Sequence, residues 1–425
     1  MYEVEKAAEK TMLISVNVKG TNREEAKEHL EELAFLVKTA GADVVYKVYQ
    51  ELPKLNHATC IGSGKIKEIK EIIEEKEITL VVFDDDLTPM QNRNLVRELN
   101  VKVLDRSGII LDIFASRAKT QEAKLQVELA QLQYILPRLT RLWTHLSKQF
   151  GGIGSLRGPG ETQIETDRRL IRERIQIFKE KIKDIEIQKT QQRKGRDNFP
   201  RFALIGYTNA GKSTLMKTIT NEAVYIEDQL FATLDTTVRA FELPSGTVAL
   251  LSDTVGFIRK LPTHLIASFR STLAEAREAD ILVHVIDISH PSFREQIKAV
   301  EETLDYLKIS DKPTIMVFNK IDLLEDMEIT TAIAKEYPNS VFIGAKRGIN
   351  ISNLLTVFQT LADKNCSELQ LFIPYSDTQV LGKIYDKFEI IERNDEDDGT
   401  RLLIKVKEEL LNYFNNYFSN YIIKK

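Results

Sequence analysis

The sequence predicts an α/β protein built from several consecutive parts, and three observations predict it. Extended apolar runs alternate with helical stretches over the first 115 residues. Two apolar seams at heptad spacing follow, separated by a glycine-rich break. A strand then runs into a Gly-Lys-Ser loop that opens a helix, and further strands end in polar residues.

The bulk numbers limit what such a chain can be. With 425 residues, 43% hydrophobic and 29% charged, it can bury a sizeable core and should form about three domains of roughly 100–200 residues each. Cys60 and Cys366 lie far apart with no partner at metal-ligand spacing, so neither a disulfide framework nor a zinc site is expected, which fits a reducing cytoplasm. The start, MYEVEKAAEK, is charged, and no apolar run approaches the roughly 18 residues of a membrane helix. Export and insertion are therefore not expected. Net charge is −4, but residues 117–196 hold 18 Lys plus Arg against 9 Asp plus Glu, a local +9 that leaves −13 elsewhere. Such a segment is a candidate for a polyanionic partner, although a solvated helical surface has the same composition.

In residues 1–116 the runs MLISVNV, DVVYKVY, ITLVVFD and VKVLD read as strands, with NREEAKEHLEELAFLVKTAG and GKIKEIKEIIEEK as helices between them. Strands and helices of those lengths in alternation specify a small parallel sheet. The stretch Gly62 to Lys65, GSGK, lacks the spacing of a phosphate loop and reads as a helix start.

Residues 117–196 read as an arm. Leu125, Leu129, Leu132, Leu136, Leu139, Trp143 and Leu146 recur at steps of 4 and 3, as do Ile171, Ile175, Phe178, Ile182 and Ile185. Two such seams pair as an antiparallel helical hairpin, with a kink or break expected at Pro137. At about 1.5 Å per residue, an arm of some 30 residues reaches roughly 45 Å. Its tip, residues 150–160, carries Gly151, Gly152, Gly154, Gly158 and Gly160 together with Arg157, and Lys148, Arg168 and Arg169 lie nearby. Glycines let backbone approach a ligand, and arginines suit phosphates and base edges, so a contact role is expected for Gly152, Gly154, Arg157, Gly158, Gly160, Arg168 and Arg169. A plain flexible turn would need only a few residues.

After the polar linker QKTQQRKGRDN, residues 199–365 carry the chemistry. The loop Gly206, Tyr207, Thr208, Asn209, Ala210, Gly211, Lys212, Ser213, Thr214 matches the P-loop spacing between a strand and a helix. Its glycines let successive amides turn toward a β-phosphate, Lys212 reaches β and γ oxygens, and Ser213 offers a hydroxyl to Mg²⁺. The strand TVALLSD ends at Asp253, suited to hold the Mg²⁺ shell through water. After Thr254 and Val255, Gly256 can offer an amide to the γ-phosphate. The strand TIMVF ends at Asn319, Lys320, Ile321, Asp322, where a carboxylate can accept two hydrogen bonds from guanine and a lysine can lie along the base. In SVFIGAK, the backbone of Gly344, Ala345 and Lys346 can contact guanine O6. These sites, in this order at strand ends, predict GTP and GDP as ligands with Mg²⁺ as cofactor. FATLDTT offers Thr233, Thr236 and Thr237 as the threonine that closes over Mg²⁺, and spacing alone does not choose among them. Phe257 stands where a glutamine often aligns the attacking water, so slow hydrolysis is expected without a partner.

Residues 368–425 read as strand, helix, strand, acidic turn, strand, helix, too short to bury much alone and so expected to pack on the nucleotide domain or a partner. The Tyr and Phe of NYFNNYFSNY read as core or docking residues. The fold class is therefore α/β: a P-loop GTPase domain preceded by a small parallel α/β domain with a long antiparallel helical hairpin, and followed by a small α/β C-terminal domain.

The runs LQVELAQLQYILPRLTRLWTHLSKQFGGIGSLRGPGETQIETDRR and DTVGFIRKLPTHLIASFRSTLAEAREADILVHVID resemble the HflX family of bacterial GTPases, in the Obg-HflX group, and the likeness spans roughly residues 10–365. The resemblance assigns Thr233 to Mg²⁺, within Phe231, Ala232, Thr233, Leu234, Asp235 as a nucleotide-contacting segment. Thr236 stands where the family often has proline, and Gly344 where it usually has serine. What the resemblance implies is a ribosome-associated GTPase that binds the 50S subunit, its 23S rRNA and ribosomal proteins, splits or rescues stalled ribosomes under stress, and hydrolyses GTP faster when bound. A monomer in the cytoplasm is expected. Family members have been linked to adenine nucleotides through the amino-terminal domain, but no phosphate loop is read there and no site is assigned. Two rival readings are a ribosome-assembly GTPase and a regulatory switch that binds a protein in the GTP state without RNA. Steep salt dependence of binding to RNA-containing particles would separate the ribosomal readings from the protein switch.

Overall fold

A computed structural model of the chain describes residues 8–18, 23–139, 163–193, 199–220, 231, 237–260, 274–326, 328–364, 366–407 and 410–423. The residues group into two compact units. One takes in Met1–Gln188 with Ile226–Thr236 and Val255–Ala274, and the other Lys189–Tyr225 with Thr237–Thr254 and Glu275–Lys425.

The first unit opens with strand β1 (Lys10–Val18), helix α1 (Arg23–Thr39), β2 (Asp43–Leu52), α2 (Ser63–Lys76), β3 (Leu80–Phe83), α3 (Pro89–Leu99), β4 (Lys102–Asp105) and α4 (Arg106–Arg117). The four apolar runs form one sheet in the order β2-β1-β3-β4, and every pair is parallel, as the alternation with helices requires. GSGK is a helix start: Gly62 is the N-cap of α2 and makes no side-chain cap bond. Helix α3 is held by a capping box in which Thr88 accepts from the Gln91 amide and the Gln91 side chain from the Thr88 amide. On one face of the sheet Met12, Ile14, Ile69, Val81, Phe83 and Leu95 are buried together, and Leu13 and Val82, which alternate with them along β1 and β3, are buried as well.

Helix α5 (Gln121–Ile135) stops at a short 3₁₀ turn, Leu136–Arg138, which contains Pro137; the expected break falls there because proline lacks the amide for the next helical bond. Helix α6 (Gln163–Arg193) returns along it, and Leu129, Leu132 and Phe178 bury one another with Leu125, Ile171, Ile175 and Ile182 packed around them. The helix runs through QKTQQR rather than yielding to a linker there, since that stretch has no glycine or proline to end it. The base of the hairpin is tied down by a buried polar cluster. The Tyr134 hydroxyl donates to Asp105 at 2.7 Å, and Arg138 donates to Asp105 at 3.0 Å and to the Leu87 carbonyl at 2.8 Å.

The second unit is built on β5 (Arg201–Gly206), α7 (Lys212–Thr220), β6 (Thr237–Glu242), β7 (Val248–Asp253), α8 (Ala274–Glu278), β8 (Ile281–Asp287), α9 (Phe293–Leu307), β9 (Thr314–Asn319), α10 (Glu328–Glu336), β10 (Val341–Phe342) and α11 (Ile351–Lys364). Its six-stranded sheet runs β10-β9-β8-β5-β7-β6, parallel except for the antiparallel edge pair β6–β7. Both faces are covered. Phe202, Leu204, Val283, Val285, Leu354 and Phe358 bury one side, and Ile286, Phe293, Ile297, Phe318 and Ile333 the other. The chain then forms β11 (Cys366–Pro374), α12 (Thr378–Lys387), β12 (Glu389–Asp395), β13 (Gly399–Lys407) and α13 (Leu411–Phe418), with an antiparallel sheet in the order β11-β13-β12. Phe414 and Phe418 lie in its core, Tyr417 is 66% exposed, and Lys405 of β13 pairs with Asp363 of α11.

Candidate active site

The predicted phosphate loop joins the end of β5 to the start of α7, and its shape demands glycine at two points. Gly206 has φ +145° and Gly211 φ +95°; a Cβ on Gly206 would lie 2.2 Å from the Val285 carbonyl oxygen, and one on Gly211 2.2 Å from the Asn319 amide nitrogen. The first neighbour is strand backbone, the second a side chain held by its own hydrogen bonds to Ala210 and Ala345, and both φ values favour glycine. Asn209 takes the left-handed conformation at φ +62°, a region that asparagine tolerates better than most residues.

Lys212 is buried, and its ammonium donates to the carbonyls of Gly206 at 3.0 Å and Tyr207 at 2.7 Å. Burial pulls its pKa down to about 8, while Asp253 acts to raise it. Such an amine gains from any anion placed over the loop. On β8, His284 is held uncharged: burial, and then the nearby Lys212, lower its pKa to about 3. The Ser213 hydroxyl donates to Asp253 at 2.6 Å, at the C-terminal end of β7. A hydroxyl and a buried carboxylate side by side are hard oxygen donors, which is the chemistry Mg²⁺ selects, so these residues fit that ion. Thr254 secures the strand end by donating to the Leu204 carbonyl at 2.7 Å.

Asn319 joins this loop to the predicted base-reading segments. Its side-chain amide donates to the Ala210 carbonyl at 2.9 Å and accepts from the Ala345 amide at 3.0 Å. One side chain thus registers Gly206–Thr214, Asn319–Asp322 and Gly344–Lys346 on a single sheet edge. Lys320 has a left-handed backbone, φ +68°, and its ammonium pairs with Asp287 at 2.6 Å. Asp322 is nearly buried and pairs with Arg347 at 3.2 Å. Thr218 of α7 donates to the Ala345 carbonyl at 2.9 Å, fixing the third segment.

Asp287 and Arg347 escaped the reading of the sequence. Asp287 ends the apolar run ILVHVID as Asp253 ends TVALLSD, and the same strand-end rule would have found it. Arg347 directly follows Gly344–Lys346, but nothing in its spacing marks it as the partner of Asp322.

The remaining predicted residues fall elsewhere. Ala232, Thr233, Leu234 and Asp235 lie outside the described residues, as do Gly152, Gly154, Arg157, Gly158 and Gly160 of the arm's tip. Arg168 and Arg169 sit near the start of α6, where Arg168 donates to the Leu139 carbonyl at 3.4 Å. Phe231, Val255 and Gly256 belong to the first unit. There the Phe231 ring packs edge-on against Phe114 at 4.7 Å, and Phe257 is 2% exposed with Ile258 buried beside it in the chain. Position 257 is thus an apolar packing residue.

The chain after Phe257 is clasped by charges of the same unit. Lys260 bonds Asp84 at 2.8 Å and also Asp85, Arg259 faces His29 and lies 3.8 Å from Glu32, and Arg106 bonds Asp84 at 2.9 Å and forms an ion pair with Glu32 at 3.1 Å. Burial pushes the Asp84 carboxyl up, but Arg106 and Lys260 together outweigh it and hold the pKa below the usual carboxylate value.

Comparison with known proteins gives three family matches along the chain: "GTP-binding GTPase N-terminal" over residues 27–115, "GTP-binding GTPase Middle Region" over 117–196, and "50S ribosome-binding GTPase" over 201–320. Among curated relatives, the "GTPase HflX" of Flavobacterium psychrophilum is 53% identical over 321 residues, 76% of this chain and 77% of that one. The "GTPase HflX" of Magnetococcus marinus is 42% identical over 415 residues, 97% of this chain and 95% of that one. Among solved structures, the complex of SsGBP with GDP is 28% identical, with a TM-score of 0.46 over 84% of this chain and 99% of that one.

Proposed function

Because this chain belongs to the HflX family of GTPases, we propose that it binds the 50S ribosomal subunit, hydrolyses GTP to GDP there, and splits or rescues stalled ribosomes under stress. The observation that carries the nucleotide half is the Asn319 side chain, which bonds the phosphate loop at Ala210 and the third segment at Ala345. In this reading Gly206–Thr214 wrap the phosphates, Lys212 neutralises the β and γ oxygens, and Gly256 offers its amide to the γ-phosphate. Ser213 and Thr233, with Asp253 through water, would hold Mg²⁺, which would supply charge neutralisation. Asn319, Lys320, Asp322 and Gly344–Lys346 read guanine.

The ribosome half is supported by the match of residues 201–320 to a 50S ribosome-binding GTPase model and by the +9 balance of residues 117–196. Backbone phosphates of 23S rRNA suit that charge, and Gly152, Gly154, Arg157, Gly158, Gly160, Arg168 and Arg169 are the proposed contacts. The protein acts as a cytoplasmic monomer of four parts: 1–116, the arm 117–196, the GTPase domain 199–365 and the tail domain 368–425. None of the described helices is long and apolar enough to cross a membrane.

Phe257 leaves the attacking water without a side chain from that position, so the rate should depend on the partner. Purified 50S particles should stimulate multiple-turnover phosphate release at least about tenfold, and Lys212→Ala and Ser213→Ala should abolish both rates. Equal wild-type rates with and without 50S particles would refute the ribosome partner and favour a switch that acts on a protein.

A further inference from the structure

We propose that the hydroxyl of Thr208 is a catalytic group of GTP hydrolysis, bridging the attacking water and the γ-phosphate where position 257 supplies no polar side chain. Thr208 is 6% exposed, and its Oγ1 has no hydrogen-bond partner among the described residues. Burying a hydroxyl without a partner sacrifices its hydration for nothing, and such an atom in a folded protein asks for a ligand, a water or a reaction to explain it.

Its place in the loop says which. The two ends of the loop are told apart by what holds them. The Ala210 carbonyl takes the Asn319 amide at 2.9 Å, which orients that end toward the base-reading segments. The Tyr207 carbonyl takes the Lys212 ammonium at 2.7 Å, and in this motif that amine meets the terminal phosphate oxygens. Thr208 is joined by its peptide bond to that same Tyr207 carbonyl, so it belongs to the γ end. A hydroxyl has one proton to give and two lone pairs, so it can donate to a γ oxygen while accepting from a water. The buried ring of Phe257 can do neither.

In the step, the water oxygen forms a bond to the γ phosphorus as the bond from that phosphorus to the bridging oxygen breaks. The electron pair leaves on GDP, the water's protons pass to the departing phosphate and to solvent, and Thr208 keeps its own. Its contribution is alignment, which for reacting groups held in place is a large part of the barrier.

The test is single-turnover hydrolysis by the full-length chain with Mg²⁺ and no ribosomes, with GTP affinity measured in parallel. Without ribosomes in the assay, the result bears on Thr208 and leaves the 50S reading untouched. Thr208→Val, which keeps the shape and removes the hydroxyl, should lower the rate at saturating GTP at least about tenfold while affinity stays within about threefold. Thr208→Ser, which restores the hydroxyl, should recover the rate to within about threefold of wild type. A Val variant that hydrolyses at the wild-type rate would overturn the proposal. So would parallel loss of affinity and rate in the Val variant, which marks a binding or folding role, or a Ser variant as slow as Val.

Discussion

In the proposed nucleotide site, Asp322 is the carboxylate assigned to read guanine. Its side chain is nearly buried, it pairs with Arg347 at 3.2 Å, and the Gly344 backbone passes close beside it. A carboxylate accepts from both the ring and the exocyclic nitrogens of guanine; an amide in its place would turn one acceptor into a donor and suit a base that presents a carbonyl there. Asp322→Asn should therefore weaken GTP binding by about 1–3 kcal/mol and favour xanthine nucleotide. Competition binding with GTP and XTP checks this, and wild-type GTP affinity in the variant would show that Asp322 does not read the base. The Lys320 ammonium, proposed to lie along the base, is paired with Asp287 at 2.6 Å.

At the scale of elements, the short loop after β3 does two jobs. Asp84 and Asp85 grip Lys260, while the Leu87 carbonyl takes Arg138 from the base of the hairpin and the Leu87 amide donates to Asp105 at 3.1 Å. Lys260 is a non-glycine residue at φ +53°, a conformation that costs of order 1 kcal/mol and persists where the surroundings hold it. Its two carboxylate partners supply that hold. Because the Asp84 pKa is depressed, its contribution to stability is present above the ordinary carboxylate range and is lost as pH falls through the folded-state value. Lys260→Met should cost about 1–3 kcal/mol, since Asp84 retains Arg106, and should speed amide exchange across residues 255–260. Hydrogen exchange by mass spectrometry on the full chain reads this directly; unchanged protection would mean that the ion pairs do not hold the segment.

At the scale of the molecule, charge and length are concentrated in the arm. Helix α6 alone has 31 residues, about 45 Å at 1.5 Å per residue, and the paired seams keep the two helices together. Replacing residues 151–160 with a short serine-glycine turn should leave GTP affinity intact, because the nucleotide residues lie in other parts of the chain, and should impair the action on ribosomes. Nucleotide titration together with ribosome-splitting and ribosome-stimulated turnover measures both halves. Full ribosomal activity in the shortened protein would reduce the tip to a connector.

The sequence by itself determined the parallel sheets, the heptad seams, the break at Pro137 and the order of Gly206–Thr214, Asp253, Asn319–Asp322 and Gly344–Lys346. Each of these rests on local spacing: periodicity, a proline that lacks an amide, or a polar residue at the end of an apolar run. It also showed that position 257 is apolar. Only the tertiary structure decided that Phe257 is buried, that Asn319 couples three loops, that Lys320 leans on Asp287 and Asp322 on Arg347, and that Lys260 is held by a carboxylate 176 residues away along the chain. Such partners carry no signature in spacing. They are set by which strand ends the sheet order brings side by side, and a charge finds its counter-charge there across whatever length of chain the fold has closed.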